Sequence, residues 1–564
     1  MRSFGFAPPI GFSGDDTAGA QEPASTWRRG AVASLRDRLV PPMPPASIWG
    51  WAGPLLVTLF GGFLRFYRLS TPHAIVFDET YYVPDAYGIL KHGVELNAVD
   101  SAKNRNVVDH LLAHGSTHIL TNTGEYVVHP PLGKVMIAAG EWLFGLTPFG
   151  WRIVVAVLGT ASILMICRIA RRMTRSTMLG CIAGLLMSLD GLELVLSRTA
   201  ILDIIVMFWI LAAFGMLVLD RDASRARIAD AALAAGEAGP GLAGGSGGSS
   251  PRAGTPGVDL PGGGPNLGIR WRRVLAGLFL GLACGTKWNG VWFLFSFAIM
   301  AIAWDLGARR AAGYRDRLTG TLRSDALWLP LTFGVIPLAA YTASWSGWFA
   351  GSLGYDRNWA ALVGNHTPIW STLDSWYQYQ KSMLGFGLGL SSHAGYTSEP
   401  WGWLVLARPV SFFYEAPKGC GASSCSQEVL AIGTPAIWWA SIAAVLFCLV
   451  WWISRRDWRA GTVLVGVAAG WLPWWWFAWH DNRTEYYFYS VAFLPFLVIA
   501  ITLCLGLIIG PTDATPGRRA VGAVIVGAYM LLVLANFAFM YPVFTAEVLP
   551  YDFWRQRMWF SSWI

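Results

Sequence analysis

The chain has 564 residues, of which 54% are hydrophobic and only 13% charged, and its mean hydropathy is +0.44. A soluble globular domain carries about twice that charged fraction; apolar runs of about 20 residues recur along the length, which excludes a soluble enzyme and describes a polytopic membrane protein. The net charge of +8 is no nucleic-acid signature, because the arginines fall in short loops between apolar runs, as membrane topology requires.

Residues 1–46 are rich in Pro, Gly, Ala and Ser, and the first long apolar run begins near Ile48 without a signal peptide ahead of it. They read as a disordered cytoplasmic tail, and residues 47–564 as one membrane-embedded domain. The pattern predicts an all-α protein with about eleven spans, near 48–67, 149–170, 178–197, 200–219, 272–287, 288–306, 327–346, 435–453, 460–479, 487–509 and 519–541. An odd number puts the N-terminus in the cytoplasm and the C-terminus outside. The inner loops then hold Arg171, Arg172 and Arg175, the run Arg309 to Arg323, Arg455, Arg456 and Arg459, and Arg518 and Arg519. The short outer connections hold Arg198, Lys287 and Arg483. The apolar stretch after Lys134 is about 13 residues, short of the ~20 needed to cross; it is expected as a helix on the outer surface or partly inserted.

The first outer loop, 68–148, carries "FDETYY" with the adjacent carboxylates Asp78 and Glu79, and then "HPPLGK" with His129 and Lys134. Such a pair can simply cap a helix. Beside Phe77, Tyr81 and Tyr82 it would also be partly desolvated, which raises a carboxylate pKa and suits a general base. The two prolines fix the chain direction before a helix starts. Further along, Arg65 ends the first span and Arg152 begins the second. Arg198 lies five residues before Asp203, a natural partner, and Lys287 and Arg483 follow in later outer connections. Cations placed against the charge rule suggest a shared anionic ligand at the outer leaflet, and a lipid phosphate fits the forked guanidinium.

Two large regions remain. Residues 221–270 are low in complexity and read as a disordered cytoplasmic linker. Residues 347–434 form the second outer loop, where an extracytoplasmic position makes a local disulfide of Cys420 and Cys425 the natural state. Neither P-loop, HExxH, GxSxG nor dinucleotide motif is present, and nothing calls for a metal or another cofactor.

The ordered set "FDETYY", "HPPLGK", "FGWR", "SRTAILD", "LGLACGTKWNGV", "EPWGW", "GCGASSC" and "FYSVAFLPFL" resembles the protein O-mannosyltransferases of the actinobacterial type. The resemblance implies a C-type glycosyltransferase fold in the plasma membrane, with its active site facing outward. It implies mannose transfer, with inversion, from polyprenyl-phosphate-mannose to Ser or Thr hydroxyls of secreted or membrane proteins, with the secretion translocon as a candidate partner. Asp78 matches the family base and Glu79 its support. Arg65 and Arg152 match arginines near the donor, and His129, Lys134, Arg198, Lys287 and Arg483 are placed at phosphate or sugar by position. Two features depart from the eukaryotic members: the second outer loop is too short for a β-trefoil domain, and Val127 stands where some relatives carry an acid before the HPP motif. The alternative function keeps the donor but sends the sugar to a lipid or polysaccharide. A transporter would instead show inverted repeats and charges at mid-membrane, and neither is seen.

Overall fold

The computed structural model describes residues 35–45, 47–99, 106–238, 260–325, 328–391, 395–481, 483–511 and 513–564. Helices dominate. Among the described residues, five are long and apolar enough to cross a bilayer: Pro148–Thr174, Leu202–Ala235 within the helix Leu202–Ala238, Gly290–Ala312, Pro435–Arg455 and Pro516–Phe544. A bent pair over 317–344 would make six. The other expected spans also fall on helices, among them Trp49–Phe66, Trp271–Thr286, Trp458–His480 and Leu494–Ile509. The expected span 178–197 is broken: Thr177–Ser188 stops at Leu189, and Asp190 starts the short helix Gly191–Leu196 by accepting from Glu193 N at 3.0 Å. Asp190 also accepts from Trp438 Nε1 at 2.8 Å. The amides freed at this buried break find side-chain partners, Gly191 N on Thr434 and Glu193 N on Asp190, as a break inside an apolar body requires.

Local signals explain the boundaries. Thr147 caps Pro148–Thr174 with Pro in the first turn, and Arg175 ends that helix in the left-handed conformation. The helix Trp271–Thr286 crosses residues 331–344 closely, because a Cβ on Gly277 would collide with the Thr332 carbonyl and one on Gly281 with the Pro337 backbone.

On the side expected to be inner, two expectations change. The helix Leu202–Ala238 runs through the first third of the expected linker, and residues 260–270 return to pack. Low complexity concealed an apolar stripe: Ile228, Ala229, Ala232 and Leu233 recur at helical spacing and bury against Leu267, Ala308 and Tyr314. The end of the expected disordered tail joins them, since Leu35 and Leu39 are buried there and Arg36 pairs with Asp230 at 2.8 Å. The rest of that linker, 239–259, and the tail before residue 35 lie outside the described residues.

The expected first outer loop folds into the helix Glu79–His92, an antiparallel pair of β1 (Leu96–Ala98) and β2 (Leu120–Gly124), and the helix Leu132–Phe144. That last helix is the expected short one; Trp142, Leu143 and Phe144 at its end are exposed. The expected second outer loop supplies the helix Trp370–Gly389 and a hairpin of β3 (Val410–Glu415) and β4 (Cys425–Ala431), extended by β5 (Leu549–Pro550). A Cys420–Cys425 disulfide closes the hairpin tip.

Candidate active site

The adjacent carboxylates have separate surroundings. Glu79 is fully buried and every acceptor direction is used. Arg152 Nε and Nη2 bind its two oxygens at 2.8 Å each, while Val76 N and Ala200 N donate at 2.9 Å each. Arg152 spends its remaining protons on the carbonyls of Pro72 at 2.8 Å and Ala74 at 2.7 Å. Glu79 and Arg152 therefore tie the first outer loop to the helical body, and neither faces an open space.

Asp78 occupies the cap position of the helix Glu79–His92, yet its side chain makes no capping bond. It is half-buried, and burial pushes its carboxyl up to about 7; Asp203 adds to the rise, while Lys287 and the Tyr82 hydroxyl oppose it. The group is thus poised between acid and base forms near neutral pH.

Asp78 is not itself a lining residue, but Lys287, whose charge acts on it, helps to line a cavity of about 500 Å³. Its walls are largely apolar: Trp288, Trp292, Leu338, Leu384 and Phe477 line it, from the helices after Lys287, after Pro337, in Trp370–Gly389 and in Trp458–His480. Its polar residues include His129, Lys287 and Arg483, so the structure brings together three of the basic residues singled out in sequence. Lys287 Nζ pairs with Asp203 at 2.9 Å and lies 4.2 Å from the Tyr489 ring centre. Arg483 Nε donates to the Gly387 carbonyl at 2.8 Å, and its guanidinium sits over Trp474. Burial, with Lys287, Lys134 and Arg483 nearby, drives His129 well below its ordinary pKa, so its ring is neutral.

The other basic residues are engaged elsewhere. Arg65 is completely buried, ion-paired with Glu193 and bonded to the Gly61 carbonyl at 2.8 Å. Arg198 does not meet Asp203; it donates to the carbonyls of Arg65, Tyr67 and Arg68 at 2.7–2.9 Å and so terminates the first helix. Asp203 goes to Lys287 instead. Lys134 is buried between Glu95 at 2.6 Å and Asp85 at 3.4 Å. Burial alone would lower its pKa, but the two carboxylates hold it above the ordinary value. Asp85 and Glu125 share the same ammonium: burial pushes Asp85 up to about 6, with Glu95 adding to the rise, and pushes Glu125 up to about 8, with Asp85 adding to it. Sequence reasoning missed Tyr82, Glu193 and Tyr489 as partners. Tyr82 had a usable signal, being one helical turn from Asp78; the pairings across hundreds of residues had none.

Comparison with known proteins completes the description. Residues 128–236 match the family model for dolichyl-phosphate-mannose-protein mannosyltransferase, and residues 372–563 the model for the C-terminal four-span region of protein-O-mannosyltransferase. A polyprenol-phosphate-mannose–protein mannosyltransferase of Mycobacterium tuberculosis is 38% identical over 536 residues, covering 92% of this chain and 93% of the relative. The chain belongs to the protein O-mannosyltransferase family. Members with the same name from Mycolicibacterium smegmatis (37% over 527 residues; 91% of this chain, 93% of the relative) and Corynebacterium glutamicum (34% over 545; 93% and 96%) agree. The fold is shared with the S. cerevisiae Pmt1–Pmt2 protein O-mannosyltransferase complex bound to the sugar donor, at a TM-score of 0.67 with 13% identity over 95% of this chain and 94% of that one. The chain is a glycosyltransferase of the mannosyltransferase class, built on that family's multi-span helical fold.

Proposed function

We propose that this mannosyltransferase moves mannose from polyprenyl-phosphate-mannose to Ser or Thr hydroxyls of proteins, by single displacement, with Asp78 as general base. The observation that carries the assignment is the division within the acidic pair: Glu79 is saturated by Arg152 and two backbone amides, whereas Asp78 makes no cap bond and titrates near neutrality within the field of Lys287, a residue of the cavity wall. The acceptor oxygen attacks C1 of the mannosyl group as its proton passes to an Asp78 carboxylate oxygen. The C1–O bond to the phosphate breaks, and the electron pair leaves on the polyprenyl phosphate. One displacement inverts the anomeric centre and needs no glycosyl-enzyme, by analogy with inverting glycosidases. Lys287 and Arg483 are placed to stabilise the leaving phosphate, neutral His129 can hydrogen-bond phosphate or sugar, and the apolar walls suit the prenyl chain. Arg65, Arg152, Arg198, Lys134 and Glu79 support this site from behind.

The arginine distribution along the sequence favours about eleven spans, a cytoplasmic N-terminus and a site on the extracytoplasmic face of the plasma membrane, where proteins leaving the translocon would be met. The test is transfer of labelled mannose from polyprenyl-phosphate-mannose to a Thr-rich peptide, with wild type and Asp78→Asn at equal expression. Loss of transfer with donor binding kept supports the reading. Full activity in the variant removes Asp78 as base, and a wild type that binds donor yet labels only lipid points to the alternative acceptor.

A further inference from the structure

Phe77, directly before Asp78, has a backbone φ of +50°. A bulky side chain rarely adopts that left-handed region and persists there only where the surroundings over-determine it. The surroundings here are aromatic. The Phe77 ring stacks on Phe412 of β3 at 4.4 Å between centres and 3° between planes. It meets Phe488 edge-on at 5.5 Å and Tyr486 edge-on at 6.4 Å. Phe412 and Phe488 also touch each other edge-on at 5.5 Å. Such geometries are the favoured ones for ring quadrupoles, so the arrangement is attractive as well as space-filling. Glu79, on the far side of Asp78, is locked by Arg152 and two amides. The Asp78 backbone is thus fixed from both sides although its own side chain makes no cap bond.

We propose that Phe412 and Phe77 are positioning residues: the hairpin β3–β4 clamps Phe77 in its left-handed conformation, and the clamp aims the Asp78 carboxyl at the acceptor hydroxyl. The inference rests on the assignment of Asp78 as base. It gives the second outer loop a part in the chemistry that no polar residue of the hairpin reveals. Phe412 is buried in β3 between the half-buried Ser411 and Phe413, and the strand becomes exposed at Tyr414 and Glu415 toward the disulfide-closed tip, so movement of the hairpin would be transmitted through the Phe412–Phe77 ring contact. The clamp also bounds the surroundings of Asp78. The charged and titratable groups facing that carboxyl are Tyr82 on its own helix, Asp203 and Lys287 on the helical body, and Tyr486 and Tyr489 after Arg483; the aromatic rings of the clamp flank them and limit water.

The test compares Phe412→Ala, Phe412→Leu and Phe412→Tyr with wild type in purified full-length protein, reading donor affinity, kcat, acceptor KM and the pH–rate profile. Misplacing a reacting group by about 1 Å can cost on the order of 100-fold in rate. Phe412→Ala is expected to lose about 10- to 100-fold in kcat with donor affinity within about twofold, and its acid limb should move to lower pH as water reaches Asp78. Phe412→Tyr, which keeps the stack, should restore both. Phe412→Leu, which keeps volume without a stacking ring, covers the case in which the alanine variant fails to fold and should fall between. Phe77→Gly adopts the same φ without strain but cannot stack, and should share the kcat loss. Wild-type kcat and an unmoved acid limb in Phe412→Ala and Phe412→Leu, with Asp78→Asn inactive, would overturn the clamp and leave the base in place. Activity in Asp78→Asn would overturn the base itself.

Discussion

Neutralising each member of the acidic pair should give opposite results. Glu79→Gln removes the charge opposite Arg152 and replaces one carboxylate oxygen with an amide NH2. Four donor directions converge on that carboxylate, from Arg152 Nε and Nη2, Val76 N and Ala200 N, so the new NH2 must face a donor whichever way the amide turns. Removing one partner of a buried ion pair costs about 3–5 kcal/mol. Asp78→Asn does the reverse. The Asp78 carboxyl titrates near 7 against 3.8 for an unperturbed aspartate, so the fold holds the proton more tightly than the unfolded chain. Its ionisation therefore weakens the fold as pH rises from about 4 through 7. At about 1.4 kcal/mol per unit the penalty above pH 7 is on the order of 4 kcal/mol, reduced by solvent at a half-buried residue. A neutral Asn escapes it. At pH 8, thermal unfolding of the detergent-solubilised protein should show Glu79→Gln well below wild type and Asp78→Asn at or above it, while transfer is abolished in Asp78→Asn. A Glu79→Gln protein of wild-type stability but without activity would refute the reasoning and place Glu79 at the chemistry.

The pH–rate profile of kcat should rise about tenfold per unit below pH 7 and level above it, because only ionised Asp78 accepts the proton; a flat profile from pH 5 to 8 would exclude that role. Lys287→Ala should weaken binding of polyprenyl phosphate by at least about tenfold, read by displacement of labelled donor, and the added change Asp203→Asn should recover protein stability but not affinity. Lys134→Met leaves Asp85, Glu95 and Glu125 facing one another without their cation, and should cost about 3–5 kcal/mol in stability while donor affinity in the surviving folded protein stays near wild type. Reducing Cys420–Cys425 opens a loop of sequence separation 5, worth roughly 2 kcal/mol to the hairpin in the chain-entropy model, and should lower transfer without altering donor binding.

Much of the helical fold was legible because a bilayer imposes long apolar runs, and those are readable in one dimension. The break at Asp190 was not, since its justification is Trp438 and Thr434, some 250 positions away. The linker was misjudged where composition outweighed periodicity: "RIADAALAA" looks simple, yet its apolar residues form a helical stripe. At the candidate site, the sequence singled out His129, Lys287 and Arg483, which the structure brings to one cavity, but not the partners that hold them. Asp203 illustrates why. Arg198, five positions away, was the nearer partner in sequence, but the helix begins between them and turns the aspartate toward Lys287.

Cations that violate the charge rule invite a single explanation, a common anionic ligand, and the structure divides them by a physical criterion. Arg65, Arg152 and Lys134 are buried against carboxylates, while Arg198 satisfies carbonyls left open where the first helix ends. An arginine against the charge rule can thus arise because a helix end leaves carbonyl acceptors that lipid cannot satisfy. Lys287 and Arg483 differ in kind: each lines the cavity, and each retains only part of its hydrogen-bonding capacity for the protein. Their fixed partners, Asp203 and the Gly387 carbonyl, hold the cations in place without fully neutralising the pair at the cavity wall. A phosphate entering there meets preorganised charge, and the same charge, acting through Lys287, moderates the rise in the Asp78 pKa. With Asp78 as the proposed base and Lys287 as the proposed phosphate contact, donor binding and base strength would be coupled: a polyprenyl phosphate drawing on Lys287 would remove part of the field that favours the Asp78 anion and make it the stronger base when the acceptor must be deprotonated.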